Sequence, residues 1–159
     1  MNAWPKLIAL NIADPEDRFE GPFRFEYVNG RDWAVADDVS YRTEAGPVST
    51  VRAGFTTDFA TIPPFLWPFM PPAGDGRNFY GLAALWHDWL YWHGAIDGKP
   101  IARARADAIF LELMCYLGVS RPLALLMWAA VRTFGWHQWN KYRRQNEKHI
   151  HPAGGPAVL

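Results

Sequence analysis

Cysteine is almost absent from this chain of 159 residues, where Cys115 stands alone. One thiol closes no internal disulfide and builds no cysteine zinc site, so nothing calls for an oxidising compartment. A surplus of either charge is missing too: 16 basic residues face 16 acidic ones, with no net charge at neutral pH. That balance speaks against nucleic acid as the main partner, because neutralising phosphates draws on a basic surplus. No stretch reaches the ~18 consecutive apolar residues of a membrane-spanning helix. The longest apolar run, Leu123 to Val131, follows the interrupting Ser120-Arg121-Pro122. The opening MNAWPKLIALNIADPED has no small-residue cleavage site before its acidic part, so no signal peptide and cytoplasmic synthesis are expected. A glycine-rich phosphate loop, a nucleophile elbow and a zinc motif are lacking, which removes nucleotide transfer and serine or cysteine hydrolysis. Internal repeats and low-complexity tracts are lacking as well.

What the chain does have is apolar substance. Half of it is hydrophobic and 16% is aromatic, enough for a sizeable core in one domain. A single α+β domain over 1–140 is expected, followed by a tail, 141–159, that is basic and then rich in proline and glycine. Residues 1–79 carry 11 acidic and 7 basic residues, and residues 80–159 carry 5 and 9. The first half alternates as strands do. Phe23 to Val28 and Asp32 to Val35 flank Asn29-Gly30, a hairpin signal because both central turn positions need positive φ. Val39–Arg42 and Val48–Val51 suggest a second hairpin, and together these give a small N-terminal antiparallel sheet of three or four strands. Between Pro63 and Gly76 five prolines interleave with Phe65, Leu66, Trp67, Phe69 and Met70, an ordered apolar connection rather than a linker. The second half reads as three helices. The first is capped by Asn78 and runs through Tyr91. The second has Pro100 in its first turn and Gly118 as its stop. The third opens at Ser120-Arg121-Pro122, with Gly135 as its break and a frayed extension from Lys141.

The chemistry concentrates in Ala83-Ala84-Leu85-Trp86-His87-Asp88-Trp89-Leu90-Tyr91. On a helix His87 and Tyr91 share a face, while Asp88 points about 100° away. Asp107 sits on the next helix between Ala104 and Ala108, whose small side chains favour close helix approach. If the two helices pack antiparallel, Asp107 can reach one ring nitrogen of His87 and fix its tautomer. The other nitrogen is then left to activate a water, and Asp88 to hold a hard cation. The plainer alternative pairs Asp107 with Arg103 or Arg105.

Two resemblances meet at these residues. Gly54-Phe55-Thr56-Thr57-Asp58-Phe59-Ala60, Pro71-Pro72-x-Gly74, Ala84-x-x-His87-Asp88-x-x-Tyr91 and Ala106-Asp107-x-x-Phe110 resemble the phage and prophage family known as domain of unknown function 1353, over roughly residues 20–135. His87-Asp88-x-x-Tyr91 with Asp107 on the next helix is also similar to the phospholipase A2 superfamily. That likeness implies His87 as general base, oriented by Tyr91 and Asp107, with Asp88 binding calcium. Its glycine-rich calcium loop has its nearest counterpart in Gly74-Asp75-Gly76, closer to His87 than is usual there, and the N-terminal sheet is foreign to that fold.

Asp58 has two readings, a metal-binding carboxylate beside the His87 helix or a local turn or cap. Trp86, Trp89 and Trp92 recur at three-residue spacing, as a core stripe or as the wall of an apolar or lipid-facing cleft. Lys141, Arg143, Arg144 and Lys148 form a basic patch, solvated or turned to an anionic lipid or an acidic partner. Two functions are expected from this. One is a phage- or prophage-encoded hydrolase-like protein with a His87–Asp107 dyad, an esterase or phospholipase at a membrane surface. The other is a non-catalytic virion or tail component whose His-Asp-Tyr cluster fixes helix packing.

Overall fold

Phe25 and Val35 face each other across a hairpin because side chains on a strand alternate and one face must be buried. β3 (Arg24–Asn29) and β4 (Asp32–Val35) form that antiparallel pair, and Gly30 takes φ +51° in the turn. The second hairpin pairs β5 (Val39–Arg42) with β6 (Val48–Val51) in the register Val39 to Val51 and Tyr41 to Ser49. The computed structural model describes residues 7–9, 16–30, 32–57 and 80–150, with side chains from residue 16 through residue 146 of these. Asn78, Asp58 and the 63–76 connection lie outside the described residues.

The architecture is α+β, as expected, but the two hairpins do not share one sheet. β1 (Leu7–Ala9), β3, β4 and β7 (Thr56–Thr57) form a four-stranded sheet in the order β1-β3-β4-β7. β2 (Phe19–Glu20), β5 and β6 form a separate three-stranded one in the order β2-β5-β6. Asp38, between the hairpins, accepts from the Ala53 amide at 2.8 Å and pairs with Arg52, so the chain turns out of the first sheet there. Strands of two or three residues carry no alternation to read, which is why β1, β2 and β7 have no sequence signal.

α1 (Tyr80–His93) is buried on nearly every side, as a helix enclosed between layers must be. Trp86 is fully buried and donates its indole N–H to Ser49 O at 3.2 Å. Phe19, Phe23 and Tyr41 pack their rings around it at 5.7–6.3 Å. Trp86 is core; Trp89, half-buried, meets Phe55 edge to face at 5.1 Å.

After α1 the chain makes a two-stranded ribbon, β8 (Ala95–Ile96) and β9 (Lys99–Pro100). Asp97 and Gly98 both have positive φ, the signature of a tight hairpin turn. Pro100 therefore ends an edge strand, where a missing N–H is harmless, rather than opening a helix. α2 (Arg103–Tyr116) follows, stopped at Gly118 with φ +82°. Glu112 on α2 accepts from Tyr41 O–H at 2.8 Å and from the Glu44 amide at 2.6 Å, tying α2 to the second hairpin.

α3 (Arg121–Ile150) runs straight through Gly135, so the expected break there is wrong. Residues 141–150 are helix and not a frayed extension; 151–159 lie outside the described residues. Arg143 donates to the carbonyls of Tyr91 and Trp92, and Asn146 to that of Trp92. These carbonyls belong to the last turn of α1 and have no partner within their own helix. The late turns of α3 supply donors for them. Among the described residues no helix is long and apolar enough to cross a membrane.

Candidate functional site

Four residues apart on α1, His87 and Tyr91 point to the same side, where α2 brings Asp107. His87 Nε2 lies 3.0 Å from Asp107 Oδ1, and Tyr91 O–H donates to the same oxygen at 2.7 Å. The expected convergence of His87, Asp107 and Tyr91 is therefore present. The plainer alternative holds in part as well. Arg103 donates to Asp107 Oδ2 at 3.3 Å, and Arg132 from α3 donates to it at 2.7 Å. Arg105 is not among these partners. Arg132 carried no sequence signal, since only the packing of α3 brings it to α2.

Close approach is made elsewhere than expected. Ala104 and Ala108 are exposed, and Ala106 is the small residue that α2 buries. On α3, a Cβ placed at Gly135 would overlap the Tyr91 hydroxyl. Gly135 is thus required for space, not for a bend. Replacing it by Ala gains about 1 kcal/mol of helix propensity, but overpacking costs about 1–3 kcal/mol. We expect Gly135→Ala to be destabilised by up to about 2 kcal/mol in urea denaturation. An unchanged midpoint would mean that α3 slides aside without loss.

Asp107 is fully buried, and His87 is 1% exposed. Burial alone would raise the Asp107 carboxyl, but hydrogen bonds from His87, Tyr91 and Arg132 overcome it and hold the group below the usual carboxylate range. Asp107 is thus an anion and only accepts. Facing an acceptor, Nε2 must carry the ring proton of a neutral His87, which leaves Nδ1 as the bare lone pair. Nδ1 is buried and has no hydrogen-bond partner among the described residues. Such an orphan costs about 1–3 kcal/mol in a folded protein. Tilted ring contacts with Tyr91 at 4.0 Å and Phe110 at 4.8 Å hold the imidazole in place.

The Tyr91 hydroxyl is raised above its ordinary value by burial and then by the Asp107 carboxylate it donates to. A raised folded-state value favours the protonated form, so this contribution is complete below the unfolded value of ~10 and is lost as pH rises beyond it. Tyr41 is raised likewise, by burial and Glu112. Stability should therefore fall with pH above ~10, and less steeply in Tyr91→Phe, where the Tyr41 part remains. Denaturation midpoints at a series of alkaline pH values read this directly; equal slopes in the two proteins would refute it.

His87 and Tyr91 line a cleft of about 820 Å³ between α1, α3 and the β4 and β7 edge, together with Asp88. Asp88 Oδ2 accepts from Thr57 O–H at 2.9 Å, so β7 meets α1 at this residue. Calcium takes 6–8 oxygens. Among the described residues no group of three or more His, Cys, Asp or Glu is placed to hold a metal ion. Asp58, Gly74 and Gly76, the other expected ligands, lie outside the described residues.

No curated protein and no solved structure matches the chain. Residues 33–131, which include His87, Asp88, Tyr91 and Asp107, match the family described as "Protein of unknown function (DUF1353)". That match spans more than half of the chain, and the chain belongs to this family.

Proposed function

We propose that this protein is a hydrolase in which His87 Nδ1 is the general base. One observation carries the reading: a buried ring nitrogen with no hydrogen-bond partner among the described residues, on a histidine that lines a cleft and whose other nitrogen faces a carboxylate. A group whose work is packing alone is normally satisfied on every polar atom. Nδ1 takes a proton from a water seated in the cleft. The hydroxide attacks an ester carbonyl, and the imidazolium returns its proton to the departing alkoxide. Asp107 holds the tautomer through Nε2, and Tyr91, Arg103 and Arg132 hold Asp107. No step in this scheme passes through a metal.

The substrate class is an ester with an apolar portion, in keeping with the phospholipase likeness. Phe134, 63% exposed at the cleft, with Leu125, Leu126 and Trp136 on the same helix, is suited to a lipid surface. A second reading draws on Asp107 itself, which collects donors from all three helices and would serve equally as a clamp in a virion component. Turnover of water-soluble and vesicle-borne esters, with and without calcium, separates the two. Hydrolysis that disappears with His87 supports the first. Inertness on every ester supports the second.

A further inference from the structure

One side of α3 is accounted for by what it packs against. Ala124, Met127, Ala130 and Val131 are buried, and Arg132 is turned to Asp107. The other side has no such account. Pro122, Leu126, Ala129, Thr133, Trp136 and Asn140 are all exposed, and they follow one another at steps of four and three residues. Leu126 and Trp136 leave 48% and 55% of their surface in water. Between Arg121 and Lys141 the only Asp, Glu, Lys or Arg is Arg132, so the stripe itself carries none. Thr133 donates its hydroxyl to Ala129 O at 2.8 Å, which engages that group within its own helix.

Steps of four and three average 3.5 residues. A strict stripe of this period is the seam of a helix pair, narrower than the face a helix lays on a core. The stripe is also complementary to itself. Turned end for end about the level of Val131, it sets Leu126 against Trp136 of a second copy, and Ala129 against its Thr133. Two small layers then lie at the centre, where they let the helix axes approach, between two large ones. Antiparallel helices also bring opposite ends of their dipoles together. With Leu125 beside it, the stripe offers roughly 500 Å² per chain, and about 1,000 Å² for a pair is the size of a weak, reversible contact.

We propose that in solution two copies of this chain pair antiparallel along α3. The pairing does not rest on the hydrolase reading, and a lipid surface is the competing occupant of the stripe. Sedimentation equilibrium of the full chain without lipid should show monomer and dimer with a dissociation constant on the order of 10–100 µM. Ala129→Glu, on an exposed helical position, should weaken pairing at least ~10-fold by placing unpaired charges in the contact. Ala104→Glu, the same change on an exposed position of α2, should leave it as it is. Mixed with Thr133→Lys, Ala129→Glu should pair again to within ~3-fold of the unaltered chain, because the two charges face each other in this register. A chain that stays monomeric up to ~1 mM overturns the proposal, whether or not it binds vesicles. So does a dimer that Ala129→Glu leaves intact, or one that the mixture fails to restore. The concentration series on the unaltered chain stands even where a variant folds poorly. Because turnover is not read, an inert dimer defeats only the hydrolase reading, and a monomeric hydrolase defeats only this one.

Discussion

Asp107→Ala should lose about 3–5 kcal/mol of stability, the largest effect of any single substitution at the site. The carboxylate is fully buried and accepts from His87, Tyr91, Arg103 and Arg132. Removing it leaves two guanidiniums facing each other and strips the acceptor from a phenol and an imidazole. A domain of this size has roughly 5–15 kcal/mol in all, so the variant should be close to unfolded at room temperature. Asp107→Asn keeps one acceptor oxygen but cancels the charge opposite the arginines, and should fall between, at about 1–3 kcal/mol. Urea denaturation of the three proteins measures the series. A loss under ~1 kcal/mol in Asp107→Ala would show that the four donors find other acceptors and that the cluster holds nothing together.

His87→Asn should do the reverse, lowering hydrolysis ~10²–10⁴-fold with a modest change in stability. Asp107 keeps three donors when the imidazole goes, and the unsatisfied Nδ1 goes with it. What is lost is one hydrogen bond and the ring contacts with Tyr91 and Phe110, about 1–2 kcal/mol together. A structural node would show the opposite balance. Strong destabilisation with no activity to lose, in wild type or variant, would sink the general-base reading. Preserved hydrolysis in a folded His87→Asn protein would sink it equally.

The sequence spoke most clearly where a local pattern and a tertiary need coincide. Asn29-Gly30 announced its hairpin, although Asn29 itself ends β3 opposite Asp32 and only Gly30 of the two takes positive φ. His87, Tyr91 and Asp107 were legible from helical spacing and the short connection between α1 and α2. Other features had no such signal. The assignment of hairpins to two sheets depends on edge strands as short as two residues. Asp97-Gly98 sits where a helix end and a hairpin turn look alike in sequence, and only the positive φ at both positions tells them apart. Gly135 read as a break because glycine weakens helices, yet it is there to admit the Tyr91 hydroxyl. Arg132 belongs to a helix whose contact with α2 nothing local encodes.

The cluster around Asp107 is also a statement about chain topology. Its hydrogen bonds join residues 4, 16, 20 and 25 positions apart, all within the helical half. The tie between Tyr41 and Glu112 spans 71 positions, and that between Trp86 and Ser49 spans 37. Loop-closure entropy rises with separation, so the groups around Asp107 are gathered by near neighbours at small entropic cost. The β4 and β7 wall is brought from far along the chain. The cluster is thus a local property of α1, α2 and α3, whereas the cleft beside it is a property of the whole fold.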